Sequence, residues 1–223
     1  DLLLFPPAVN DYLKKALPED GIAYDQLYLS AIHTHTGPGG WLPGLAGRFI
    51  AGPFKPETIT SLGEQVILSI RKARQRLEEA TIGFQSIPVK GVLQNRLDKR
   101  NGKTDNKLRS LRVKTRSGKE AGILSFSAHP TLISRYKRAL SRDYPGQIIR
   151  KLEEKVDFAM FCAGMVGSHR PIRGEYKNFE AVKAYGNRLA QKAKAGWDRI
   201  ALQDPDNLFV TQMPVFLPKS QLR

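Results

Sequence analysis

Ala121-Gly122-Ile123-Leu124-Ser125-Phe126-Ser127-Ala128-His129-Pro130 is a compact apolar run that stops at a histidine and a proline. Its length suits a buried strand, and the proline ends it. Downstream, Asp143-Tyr144-Pro145 reads as a capped helix start, with proline tolerated in the first turn, and Ile148, Ile149, Leu152 and Val156 form the inner stripe. Residues 158–163 (FAMFCA) follow at once as a strand. Strand, helix and strand in that order are the building unit of α/β folds.

The alternation extends both ways. Residues 2–5 and 27–32 are expected as buried strands around a helical stretch over 9–17. Residues 56–80 place Ile59, Leu62, Val66, Ile67, Ile70 and Leu77 on one side at helical spacing. Strands are expected over 81–88 and 108–115, a loop over 164–171, a helix over 179–200 and a final strand over 208–217. The pattern predicts an α/β fold, a mixed sheet sandwiched by helices on both faces. No linker or repeat divides the 223 residues, which are read as a single domain over 1–223. Both ends look cut: Asp1-Leu2-Leu3-Leu4-Phe5 reads as a strand already under way, and 215–223 stop without a polar tail.

Composition narrows the function classes. Net charge is +15, which favours anionic partners, an anionic membrane surface among them. Residues 96–119 hold ten Lys and Arg against Asp98 and Asp105, net +8, but no stacking aromatics and no recognition motif. A solvated hairpin is therefore the favoured reading there, and nucleic acid ranks last among partners. Cys162 is the only cysteine, which excludes disulfides within the chain and CxxC metal sites. The longest uncharged stretch, 26–47, contains two prolines and five glycines and cannot span a membrane as a helix. The first residues show no signal-peptide pattern.

All four histidines, His33, His35, His129 and His169, lie where an expected strand gives way to a loop. In α/β sheets ligands bind beyond the carboxyl ends of strands, so such residues converge even when distant in sequence. His33 and His35 stand at i and i+2, and on a strand both would address one point, with His129 arriving from another strand. Three neutral imidazoles, or two with oxygen ligands, suit a zinc ion with one position open to water. The bland reading is that a histidine at a strand end is a hydrogen-bonded surface residue, and HxH alone is a weak pattern. Thr36-Gly37-Pro38-Gly39-Gly40 forces a turn after the pair, and Gly37 and Gly39 would let backbone amides approach a ligand.

Leu29-Ser30-Ala31-Ile32-His33-Thr34-His35-Thr36-Gly37-Pro38-Gly39-Gly40 closely resembles the HTHSGPGG signature of neutral/alkaline, non-lysosomal ceramidases. Asn95-Arg96 resembles that family's NR motif, 105–111 its DxxLxxL run, Phe126-Ser127-Ala128-His129-Pro130-Thr131 its HPT motif and Asp143-Tyr144-Pro145-Gly146 its DYPG helix start. The resemblance implies a zinc amidase that cleaves the N-acyl bond of ceramide, releasing a fatty acid and a sphingoid base. It implies that His33 and His129 are metal ligands, that His35 is a second active-site histidine, and that Arg96 contacts a lipid or other N-acyl substrate. A periplasmic or secreted location follows from the same resemblance. Zinc would lower the pKa of a bound water to about 7 and polarise the amide carbonyl, while His35 shuttles a proton.

Two departures stand out. The family's GDxSP loop aligns with Gly167-Ser168-His169-Arg170-Pro171, so Arg170 occupies the serine position and Ser168 the aspartate position. Ser168 and His169 are the residues at hand to take over catalysis, and Arg170 can hold an anionic group. The family's other zinc ligands, a glutamate and a tyrosine, lie downstream of what matches 217–221, which implies an incomplete ligand set here. The alternative to a hydrolase is a catalytically diverged module that binds an anion or a lipid on the same fold.

Overall fold

The computed structural model describes residues 1–204 apart from 135 and 138, together with 213 and 216. The main sheet has the order β1-β3-β4-β5, formed by β1 (Ala80–Pro88), β3 (Lys107–Thr115), β4 (Glu120–Phe126) and β5 (Phe158–Ala163). A separate antiparallel pair joins β2 (Leu93–Asn95) to β6 (His169–Pro171). β1, β3 and β4 are antiparallel neighbours, whereas β4 and β5 run parallel. A parallel pair needs a crossover, and α4 (Asp143–Leu152) provides it. The α/β architecture with a mixed sheet is the expected one.

α4 packs on α5 (Asn178–Trp197), and the two helices contact β5 and β3. Between them lie Leu108, Leu124, Phe126, Tyr144, Ile148, Leu189 and Trp197, the heart of the larger core. β4 alternates as its strand period requires, with Gly122, Leu124 and Phe126 buried. Gly122 has to be glycine, because a Cβ there would run into the Trp197 ring and Leu152. On the same side, Arg112 forms a two-pronged ion pair with Glu120, whose carboxylate also accepts from Trp197 Nε1. That network pulls the Glu120 carboxyl down to about 2, with the Arg112 hydrogen bonds as the chief cause.

A second core gathers Val9, Leu13, Trp41, Ile59 and Ile67 around α1 (Pro7–Ala16) and α3 (Pro56–Arg74). Residues 2–5 and 27–32 contribute apolar side chains to it but are not the expected strands: neither joins a ladder, and Leu3-Leu4 is a bend. Pro6 and Pro7 bring no N–H, and the backbone bond that ties the two stretches runs from His33 N, just past the second, to Leu2 O at 3.0 Å. α3 stops at Arg74 rather than 80, with Arg71, Lys72 and Arg74 in its last turn, where cations suit the helix dipole. The glycine-rich stretch contains a helix, α2 (Gly44–Ala51), which Gly44 and Gly47 concealed. The expected loop over 164–171 holds a helical turn (Val166–Ser168) and β6. The expected strand over 208–217 lies, apart from 213 and 216, outside the described residues.

The basic stretch 96–119 behaves as a hairpin flank. Arg109 pairs with Asp105, Arg112 and Lys114 with Glu120, and Arg116 with Glu79. Among the described residues no helix is long and apolar enough to cross a membrane.

Candidate active site

His129 leaves the end of β4 and is buried. The DYPG start of α4 fixes it there. Asp143 sits at φ +52°, and its carboxylate accepts from the backbone N–H groups of Leu132 (3.0 Å), Ile133 (3.3 Å) and Tyr144 (2.7 Å). The Tyr144 hydroxyl donates to Ala128 O at 2.6 Å, one residue before the histidine. Burial of these groups pushes the Asp143 carboxyl up, against the pull of its three backbone donors.

His33 and His35 arrive by a different route. The Thr34 and Thr36 hydroxyls donate to Ser141 O at 2.7 and 3.1 Å, tying the segment to the residues just before α4. His33 itself has φ +64°, a left-handed conformation that costs a residue with a Cβ about 1 kcal/mol. The two imidazoles therefore converge through a kinked turn and not through the alternation of a strand.

The three rings form a triangle. Centroids lie 5.4 Å apart for His33 and His35, 4.7 Å for His33 and His129, and 4.8 Å for His35 and His129. One ligand nitrogen from each falls within 4.8 Å of the others, and Nε2 of His35 stands 2.7 Å from Nε2 of His129. With metal–nitrogen bonds near 2.0–2.1 Å, one cation can bond several of these atoms. His129 Nδ1 lies 2.9 Å from Val166 O, an acceptor only, so Nδ1 carries the proton and Nε2 keeps its lone pair. Desolvation lowers all three imidazoles from their usual value, His129 to about 4, and Arg96 adds to the effect. Three imidazoles that each offer a nitrogen to one centre, with Nε2 of His129 left unprotonated, fit a zinc-type ion by the chemistry of the donors.

Arg96 reaches this group because β2 and β6 pair and its backbone N–H donates to Ser168 O at 2.9 Å. Its Nη1 donates to Gly167 O at 3.1 Å and stands 3.0 Å from His129 Nδ1. His169 is elsewhere. Its Nδ1 faces Met165 O (2.8 Å) and the Ser168 hydroxyl (2.9 Å), and its Nε2 accepts from the Asp105 N–H at 2.8 Å. Both nitrogens of this buried ring are engaged, so His169 holds the loop together and does not enter the three-histidine group. Gly37 and Gly39 line a cleft of about 630 Å³ with His35, Trp41 and Ile50. Packing also requires glycine at both positions: a Cβ would strike Asp1 O from Gly37 and Ala51 O from Gly39.

The family profile described as neutral/alkaline non-lysosomal ceramidase, N-terminal, matches residues 8–167. The chain belongs to this family. No curated protein matches it in sequence. Among solved structures it is similar to a ceramidase described as complexed with C2, with a TM-score of 0.76 and 22% identity over 89% of this chain. A neutral ceramidase from Pseudomonas aeruginosa gives a TM-score of 0.74 and 21% identity over the same 89%. The chain spans only 35% and 36% of those two proteins. In this ceramidase-family chain Arg170, beyond the matched residues, donates twice to Gln94 Oε1 across the β2–β6 pair, at 3.0 and 2.5 Å. It lines a second cleft of about 770 Å³ together with Arg96, His129 and Arg173. Arg173 was not singled out from sequence, although a second arginine three residues after Arg170, across Pro171-Ile172, was visible there.

Proposed function

We propose that the chain carries the histidine half of a zinc-dependent amidase site that hydrolyses an N-acyl bond in a ceramide-like lipid, releasing a fatty acid and a sphingoid base. The observation that supports this reading most is the meeting of His33, His35 and His129 at one centre within a ceramidase-family fold. His33 and His129 would hold one zinc ion, which when bound supplies a Lewis acid for the carbonyl and an activated water. His35, the exposed member, is neutral at pH 7 and takes a proton at Nε2, then returns it to the leaving amine. Arg96 presents Nη1 beside the same centre, where it donates to the carbonyl oxygen of the substrate and stabilises the charge that develops on it. Net charge +15 favours adsorption to an anionic membrane surface, and the periplasm or the extracellular space is the proposed location.

Zinc content and fatty-acid release from N-acyl substrates test the reading together. Stoichiometric zinc that falls with His33→Ala and His129→Ala, and hydrolysis that falls with it, is the expected result. A zinc-replete preparation that hydrolyses no N-acyl lipid rejects it in favour of a diverged anion- or lipid-binding module, the reading favoured by Arg170 in the place of the serine.

A further inference from the structure

The cleft beside His129 is walled by three guanidinium groups, from Arg96, Arg170 and Arg173, and by no carboxylate. Their hydrogen bonds go to neutral acceptors: Gly167 O for Arg96, Gln94 Oε1 for Arg170 and Thr131 O for Arg173. Among the described residues none of the three forms an ion pair, whereas Arg71, Arg109, Arg112 and Arg116 all have a carboxylate partner. Asp143 feels the Arg173 charge, but its carboxylate faces the backbone N–H groups that brace His129. Three like charges around one cleft repel one another until an anion enters, and guanidinium forks match the oxygens of carboxylates and phosphates.

We infer that this cleft receives an anionic group of the substrate, a carboxylate or a phosphate monoester borne close to the scissile amide. The inference rests on the amidase reading above and specifies its substrate. His129 belongs both to the histidine triangle and to the wall of the cleft, so a substrate whose amide meets the triangle places its neighbouring substituent among the arginines. A neutral alcohol headgroup would leave the three charges uncompensated. Arg170 and Arg173 are the specificity-determining residues, since both line the cleft without taking part in the triangle. An N-acyl amino acid and an N-acyl sphingoid base 1-phosphate are the two substrate forms with the required chemistry.

The test compares three substrates with one acyl chain on the zinc-loaded full chain: neutral ceramide, an N-acyl amino acid and the 1-phosphate form. At least one anionic substrate is expected to exceed ceramide in kcat/KM by about tenfold or more. That ratio should collapse to about one in Arg170→Gln/Arg173→Gln, with Arg173→Gln alone as the milder variant should the pair not fold. Inorganic phosphate titrated calorimetrically gives a readout independent of turnover, with binding expected to weaken about tenfold in the double variant. Equal or better turnover of ceramide, or phosphate binding indifferent to both arginines, overturns the inference while leaving the amidase intact. Hydrolysis of none of the three overturns the amidase instead, and phosphate binding then decides the cleft alone.

Discussion

His129 and the pair His33 and His35 reach one point on supports of opposite kinds. His129 continues a strand whose neighbours are β3 and β5, and α4 locks it with a buried carboxylate and a buried phenol. His33 and His35 sit on a turn outside the sheet, linked to residues before α4 by two threonine hydroxyls and bent through a left-handed residue. One side is held by the cooperative core, the other by a few polar contacts and an unfavourable backbone angle. A metal that bonds both sides would therefore tighten the second far more than the first.

The largest effect is expected on the sheet side. Asp143→Ala strands the N–H groups of Leu132, Ile133 and Tyr144 in a buried setting, and at 1–3 kcal/mol for each unsatisfied donor the loss is about 4 kcal/mol. Urea unfolding reads it directly, and a loss under about 1 kcal/mol would mean that the brace contributes little. Arg112→Met, which leaves Glu120 with the Trp197 Nε1 hydrogen bond and, as its cation, only the more distant Lys114 at 3.6 Å, is expected to lose about 3 kcal/mol.

The Glu120 pair also makes the sheet side sensitive to acid. Its folded pKa of about 2 lies below the ordinary glutamate value of 4.5, so the native state favours the charged carboxylate. The resulting stability is fully present above about pH 4.5 and is lost as the pH falls toward 2. The urea midpoint of the parent chain should drop across that window, and Glu120→Gln should flatten the drop. An unchanged slope would remove Glu120 from the account.

The same division explains what the sequence disclosed. β5 falls on the expected residues, and α4 and α5 keep their apolar stripes, because periodic burial against a sheet is written in the residues that are buried. Residues 2–5 and 27–32 are apolar enough to resemble strands, yet they pack in the second core without ladder partners, and composition does not distinguish these two fates. His33, His35 and His129 were legible as a group because all lie at ends of apolar runs, although the i, i+2 strand argument gave the wrong geometry for the first two. His169 satisfied the same pattern and proved to be a loop staple, since its role depends on Asp105, 64 residues away. Arg173 escaped because its importance comes from sharing a cleft with Arg96 and Arg170, which only the β2–β6 pairing brings about.

Thr34→Val should affect the loop side moderately. It removes the hydroxyl that donates to Ser141 O from a buried position, a change of about 1 kcal/mol by urea unfolding, with zinc affinity reduced as well. An affinity equal to that of the parent chain would show that the threonine brace does not position the histidines.

The smallest expected change in stability separates strain from function most cleanly. At φ +64° His33 occupies a region that glycine enters without penalty, so His33→Gly relieves about 1 kcal/mol of backbone strain. Glycine also gives the unfolded chain more freedom and forfeits the packing of the imidazole against His35 and His129, which offsets much of that gain. Net stability is therefore expected within about 0.5 kcal/mol of the parent chain without metal, while zinc affinity falls by two orders of magnitude or more. A residue kept for packing would behave in the opposite way, with stability lost and affinity kept. The left-handed histidine is a position where folding alone would prefer glycine, and the proposed metal site would account for an imidazole there.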